Sequence, residues 1–191
     1  GTFLLEILEQ LNDKHPFNKP EGNKIIRKHI HNLYGFEFLI APYVISHLKL
    51  TQYLKENGCD IPNRLQIYLT NTLEDKEPAK SFFIPKLSEE GKLAQEVKRD
   101  KKILVITGNT PYSGHSANES FIITKQTKIS KKGKTREVKK KIDTWIGSLI
   151  RDYYNINGVS IKEANSKWLQ DDYVKFIPVS YTHLTLPTSY P

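Results

Sequence analysis

Methionine is absent from the 191 residues, and cysteine occurs once, as Cys59. A lone cysteine can close no intramolecular disulfide and cannot build a thiolate zinc site. That points to a reducing compartment and leaves Cys59 a small apolar side chain. No segment holds the run of about 18 uncharged apolar residues that a membrane span needs, and no signal peptide is visible at the N-terminus. The expectation is a soluble, cytoplasmic protein with no membrane partner. Because the chain opens on Gly1 and has no initiator, it reads as a piece cut from a longer polypeptide. Apolar residues make up only 38%, below the usual ~45–50%, which implies long solvated loops around one core. The length suits a single domain.

Positive charge is in surplus. The formal net charge is +8 and the pI about 9.4. Clustered Lys and Arg gain free energy by releasing counterions from phosphate backbones, so a polyanionic partner is expected. Residues 125–141, KQTKISKKGKTREVKKK, carry nine basic residues and one glutamate. Such a block reads as a solvated basic loop, compatible with a phosphate-contacting arm. The six histidines show no metal-ligand spacing, and no metal is expected.

Residues 2–11, TFLLEILEQL, put Phe3, Leu4, Ile7, Leu8 and Leu11 on one helical face. A short basic helix is expected around Lys24 to His31. After it come a short strand ending near Gly35, and then a helix to about Asn57 that Gly58 stops. The stripe Ile40, Val44 and Leu48 on that helix reads as core packing. LQIYLT, 65–70, alternates as a strand does, and Ser88 to Arg99 opens with a helix-start composition. ILVIT, 103–107, is a continuous apolar run, the pattern of a strand buried on both faces of a parallel sheet. Two further stretches, IDTWIGSLIRDYY and KWLQDDYVKFI, look helical. The last fourteen residues, 178–191, hold no charged residue and three prolines; they resemble a translated sequencing adapter, and the folded chain is expected to stop near Ile177. Strand, helix and strand in alternation give an open α/β fold, whose ligands bind beyond the carboxyl ends of the strands.

GNTPYSG, 108–114, follows the apolar run at such an end. Adenine N6 is a poor nucleophile because its lone pair is delocalised into the ring. A methylation catalyst needs two acceptors for its N–H groups, so that the nitrogen can pyramidalise. The Asn109 side-chain oxygen and the Thr110 carbonyl could supply both. Pro111 holds the preceding residue extended and aims that carbonyl. Tyr112 could then stack on a base flipped from the duplex. Ser113 and Ser116 show no base or orienting partner for nucleophilic catalysis.

GNTPYSGHSANES resembles the Asn-Pro-Pro-Tyr catalytic loop of amino-group DNA methyltransferases. The wider chain, residues 1 to 177, is similar to the methyltransferase part of type ISP and type IIG restriction-modification enzymes. GTFLLEIL resembles the end of their cofactor loop, placing Thr2 and Phe3 beside the donor. LYGFEFLIAPYVISHLKL resembles the second motif, and Glu37 would hold the ribose hydroxyls of S-adenosylmethionine. YLTNTLED resembles the third, with Asn71 near the cofactor adenine. KWLQDDYVKFI resembles the helix after the catalytic loop.

The resemblance implies a Rossmann-like S-adenosylmethionine-dependent methyltransferase fold, incomplete at both ends. It also implies adenine-N6 methylation of double-stranded DNA by direct transfer, with a nuclease and a target-recognition domain elsewhere in the polypeptide. Three departures stand out. Thr110 replaces the first proline of the loop, the acidic and glycine-rich start of the cofactor loop is absent, and neither companion domain is present. The isolated chain is therefore expected to be inactive or nearly so. A non-enzymatic basic nucleic-acid-binding module is the reading from another class. Related loops also present a protein glutamine or an RNA adenine.

Overall fold

A computed structural model describes residues 1–61, 63–74, 85–112, 116, 118–129, 135–161 and 166–184. The chain forms two compact units, the first from Gly1–Thr72 and Lys76–Lys101, the second from Leu73–Asp75 and Lys102–Pro191. It is a mixed α/β protein with small sheets: among the described residues every sheet has two strands.

The first unit opens with α1 (Thr2–Lys14) and α2 (Pro20–His29), followed by β1 (Gly35–Glu37), α3 (Ile40–Glu56), β2 (Ile67–Leu69) and α4 (Pro85–Asp100). Leu8 of α1 is buried with Phe17, Ile26, Leu50, Leu54, Cys59 and Ile67, and Leu4, Leu5 and Leu11 pack against them. Of the expected inner face of α1, Leu4, Leu8 and Leu11 meet this core, Ile7 is half-buried and Phe3 is 48% exposed. Proline at the first position of α2 suits a site whose N–H has no helical acceptor. Gly58, at φ +75°, takes the left-handed turn after α3.

Two expectations fail here. β1 begins at Gly35 instead of ending near it. On α3 the buried line is Ser46, Leu50 and Leu54, while Ile40, Val44 and Leu48 are exposed at 67%, 53% and 64%. The helix is apolar on more than one side, so spacing alone could not say which side meets the core.

In the second unit, ILVIT is not a buried strand. Ile103 makes one isolated parallel bridge to Leu184, and Leu104 and Val105 are 73% and 81% exposed. A strand buried on both faces needs neighbours on both edges, and among the described residues this run has none beyond that bridge.

The described residues of the basic block are likewise not a loop. β3 (Phe121–Ile129) and β4 (Thr135–Asp143) pair antiparallel from Phe121↔Asp143 to Ile129↔Thr135. Ile122, Ile123, Thr124, Ile142 and the interspersed threonines have strand preferences that outweigh the repulsion of the lysines between them.

α5 (Trp145–Arg151) follows, capped by Thr144, whose Oγ1 accepts from Gly147 N at 3.1 Å. Gly147 is required there, because a Cβ would collide with the carbonyl oxygen of Ser120. A hairpin of β5 (Asn155–Ile156) and β6 (Val159–Ser160) turns on Asn157 and Gly158, both left-handed at φ 51° and 78°. That Asn-Gly pair is a hairpin signal legible in the sequence, although no strand was expected on either side of it.

α6 (Asp172–His183) closes the described chain. It runs past the expected stop at Ile177, because Val179 is fully buried against Leu73 and Ile146. Residues 185–191 lie outside the described residues. No helix among those described is long and apolar enough to cross a membrane.

Candidate functional site

The donor-side residues Thr2, Phe3, Glu37 and Asn71 all belong to the first unit. β1 and β2 are parallel neighbours, with Gly35, Phe36 and Glu37 opposite Ile67, Tyr68 and Leu69, and α3 is the crossover between them. Parallel strands joined in this way end on the same edge, the edge where open α/β folds bind ligands. Glu37 closes β1, and Asn71 stands just past the end of β2. A bond of 2.8 Å from Thr70 N to Glu37 O ties the two ends together.

The Glu37 carboxylate is pinned by its own chain: Oε1 accepts from the N–H groups of Phe38 at 2.9 Å and Leu39 at 3.0 Å. Among the described residues Oε2 takes no protein donor, so it remains an acceptor for a ligand. Thr2 and Phe3 open α1, and the first turn of that helix rests on β1. A Cβ on Gly35 would lie 3.0 Å from Leu4 Cδ1 and 3.3 Å from Ile67 Cγ2. Glycine at this position is what lets α1, β1 and β2 approach so closely.

The other edge of β2 is closed by side chains that carry no motif in the sequence. Arg64 Nη2 donates to Ile67 O at 2.7 Å and to Glu90 Oε2 at 2.6 Å, and Glu90 Oε2 accepts from Leu69 N at 3.2 Å. His47 Nε2, facing the same Ile67 carbonyl at 3.2 Å, must be the donor because a carbonyl can only accept. Burial pushes the His47 pKa down, against the smaller opposite pull of that hydrogen bond. Side chains here satisfy backbone groups that a third strand would otherwise pair. This cluster finishes a sheet edge.

Asn109, Thr110, Pro111 and Tyr112 lie in the second unit, in extended chain after the apolar run. Asn109 and Pro111 are exposed, Thr110 is half-buried, and Tyr112 is 78% exposed. The Tyr112 ring meets Tyr173 of α6, with centroids 5.8 Å apart and planes tilted by 38°. One ring is thereby backed by another while most of its surface stays open. Ser113 lies outside the described residues.

Ser116 has partners after all. Its Oγ lies 2.5 Å from Asp172 Oδ1 and accepts from Lys175 Nζ at 2.5 Å, and Lys175 also donates to Asn118 O at 2.5 Å. Asn118 Nδ2 reaches both Asp172 oxygens at 3.3 Å. Lys175 is 1% exposed. Burial lowers its pKa, while Asp172 and Asp171 oppose that shift. With Nζ donating to both Ser116 Oγ and Asn118 O, Lys175 acts as a tie between segments. It fastens the chain just beyond the candidate loop to α6. The spacing of Asp171 and Asp172 four and three residues before Lys175 was a legible sign of this pairing.

No family model, curated protein or solved structure matches the chain. Among the described residues no group of three His, Cys, Asp or Glu side chains could hold a metal.

Proposed function

We propose that the chain is part of an S-adenosylmethionine-dependent amino methyltransferase acting on adenine N6 in DNA, with a Rossmann-like catalytic domain. The observation that carries the reading is the β1–α3–β2 unit, with Glu37 and Asn71 at one carboxyl edge. An anionic acceptor at the end of the first strand suits a pair of ribose hydroxyls, and an amide past the second suits an adenine edge. Glu37 Oε2 and the Asn71 side chain fit that donor by chemistry, with Thr2 and Phe3 at the start of α1 beside it. S-adenosylmethionine supplies an electrophilic methyl group when bound.

The chain's own part in the reaction is to orient the acceptor. Asn109 Oδ1 and the Thr110 carbonyl accept from the two N6 protons, drawing the nitrogen toward a pyramidal geometry with its lone pair exposed. Pro111 holds Thr110 extended. Tyr112, open to solvent and backed by Tyr173, offers its face to a base taken out of the stack. The missing first proline leaves Thr110 with a free choice of φ, so transfer is slower than in a loop with both prolines.

Calorimetry with S-adenosylmethionine tests the donor half. Binding that weakens about tenfold in Glu37→Ala, and is unchanged in Asn109→Ala, is expected. Binding indifferent to Glu37 overturns the donor site. In a polypeptide competent for transfer, Asn109→Ala should lower turnover on an adenine-containing duplex by roughly 10²–10³-fold, the usual loss when a positioned hydrogen-bonding group is removed.

A further inference from the structure

The whole net charge of the chain sits in one stretch of its sequence. Residues 125–141 hold nine of the 29 basic residues and one of the 21 acidic ones, a surplus of eight that equals the formal charge of the molecule. The remainder is balanced, with 20 of each sign.

The pairing register brings like charges together. Lys125 stands directly opposite Lys139, and Lys141 opposite Ile123 on the same face; Lys140, opposite Thr124, is on the other face. Like charges directly across a strand pair are destabilising, so this arrangement costs the isolated fold stability. Lys125, Lys139, Lys140 and Lys141 are all exposed. Among the described residues, Lys139, Lys140 and Lys141 have no carboxylate within ion-pair distance. Lys141 Nζ instead lies 3.5 Å from the centre of the Phe121 ring.

The base of the hairpin, by contrast, is anchored. Thr144 N donates to Ser120 O at 3.0 Å, Thr144 Oγ1 donates to Glu119 O at 2.8 Å, Ser120 bonds Gln170, and Asp143 pairs with Arg151. A fixed root with a charged ribbon above it has the form of an arm.

We infer that the β3–β4 ribbon binds the phosphate backbone of duplex nucleic acid through Lys125, Lys139, Lys140 and Lys141. The major groove is about 12 Å wide and admits a two-stranded ribbon. Successive strand residues rise about 3.3 Å, close to the rise of about 3.4 Å of helix axis for each phosphate of one DNA strand. Lysines on both faces suit a groove, whose two walls both carry phosphates. A flat bilayer surface would meet one face only. This binding needs no methyl donor and does not involve Asn109, so it stands or falls apart from the methyl-transfer reading.

The test is fluorescence anisotropy of a labelled duplex of about 20 base pairs, long enough to offer two turns of groove, titrated with the full chain at several salt concentrations, without donor. The triple variant K139Q/K140Q/K141Q is compared with K24Q/K28Q, which removes charge from α2. Circular dichroism checks that both variants stay folded. The expected result is a log–log salt slope reduced by about 0.9 for each hairpin lysine that meets a phosphate, with little change for the α2 pair. Equal losses in the two variants would mean diffuse charge attraction and would overturn the inference. So would binding to phosphatidylserine vesicles with none to the duplex. If the triple variant misfolds, Lys140→Gln alone is measured instead, and an unchanged slope there refutes the groove contact.

Discussion

Individual residues carry the clearest physical commitments. Lys175 is buried in a network with Ser116, Asn118 and Asp172. Replacing it with methionine keeps the aliphatic stem but removes the donor to Ser116 Oγ and Asn118 O and the positive charge 3.9 Å from Asp172. Removing one partner of a buried pair leaves an uncompensated charge, so Lys175→Met should lower stability by about 3 kcal/mol in urea unfolding. Adding Asp172→Asn should recover part of the loss, whereas additive losses would show that the two do not interact.

His47 is one residue that should give the first unit a pH dependence. Burial holds its pKa below the ordinary value of 6.5, so between that depressed value and 6.5 the unfolded chain binds more protons than the folded one. Stability is therefore fully present above about pH 6.5 and declines as the pH falls through the depressed pKa, with a slope of at most ~1.4 kcal/mol per pH unit. His47→Gln, which retains a donor for the Ile67 carbonyl, should flatten that decline in unfolding curves taken at about pH 7.5 and about pH 5, on either side of the ordinary histidine value. A parallel decline in both proteins would remove His47 as the cause.

At the scale of elements, apolar patterning located several helices but neither where their faces point nor every strand. α1 buries Leu8 as its spacing implied. On α3 the equally regular line Ile40, Val44 and Leu48 faces outward, because the core is reached by Ser46, Leu50 and Leu54. ILVIT is the sharpest case. Its composition fits a central strand, yet Leu104 and Val105 are exposed and the only described strand-like contact is the bridge from Ile103 to Leu184. The double substitution Leu104→Ser/Val105→Thr should change the unfolding free energy by no more than about 0.5 kcal/mol. A loss of ~4 kcal/mol or more, the scale for emptying two core positions, would show that the run is buried in solution.

The basic block shows the converse failure. Charge suggested a loop, whereas the threonines and isoleucines among the lysines favour pairing, and close linkage of the two strands makes their pairing entropically cheap.

At the scale of the whole molecule, charge and composition were legible from the sequence, and assembly was not. Surplus positive charge points to a polyanion however the chain is folded, since net charge depends only on which residues are present. The alternation of helix and strand implied a mixed α/β protein for a similar reason, because local periodicity is a property of neighbours in the chain. Pairing of Glu37 with Leu69 across a parallel ladder, which brings Glu37 and Asn71 to one edge, depends on contacts between segments distant in the chain. So does the bond network joining Ser116 to Lys175, across 59 positions.

The sequence by itself determined the charge, the helices, the turn at Gly58 and the identity of the candidate loop residues, because each depends on composition or on a few adjacent side chains. Only the tertiary structure decided which face of α3 is buried, that the lysines share a ribbon, that α6 continues to His183, and that the donor-side and loop residues belong to different compact units. Those outcomes depend on burial and on strand pairing between distant segments, and neither is fixed by local sequence.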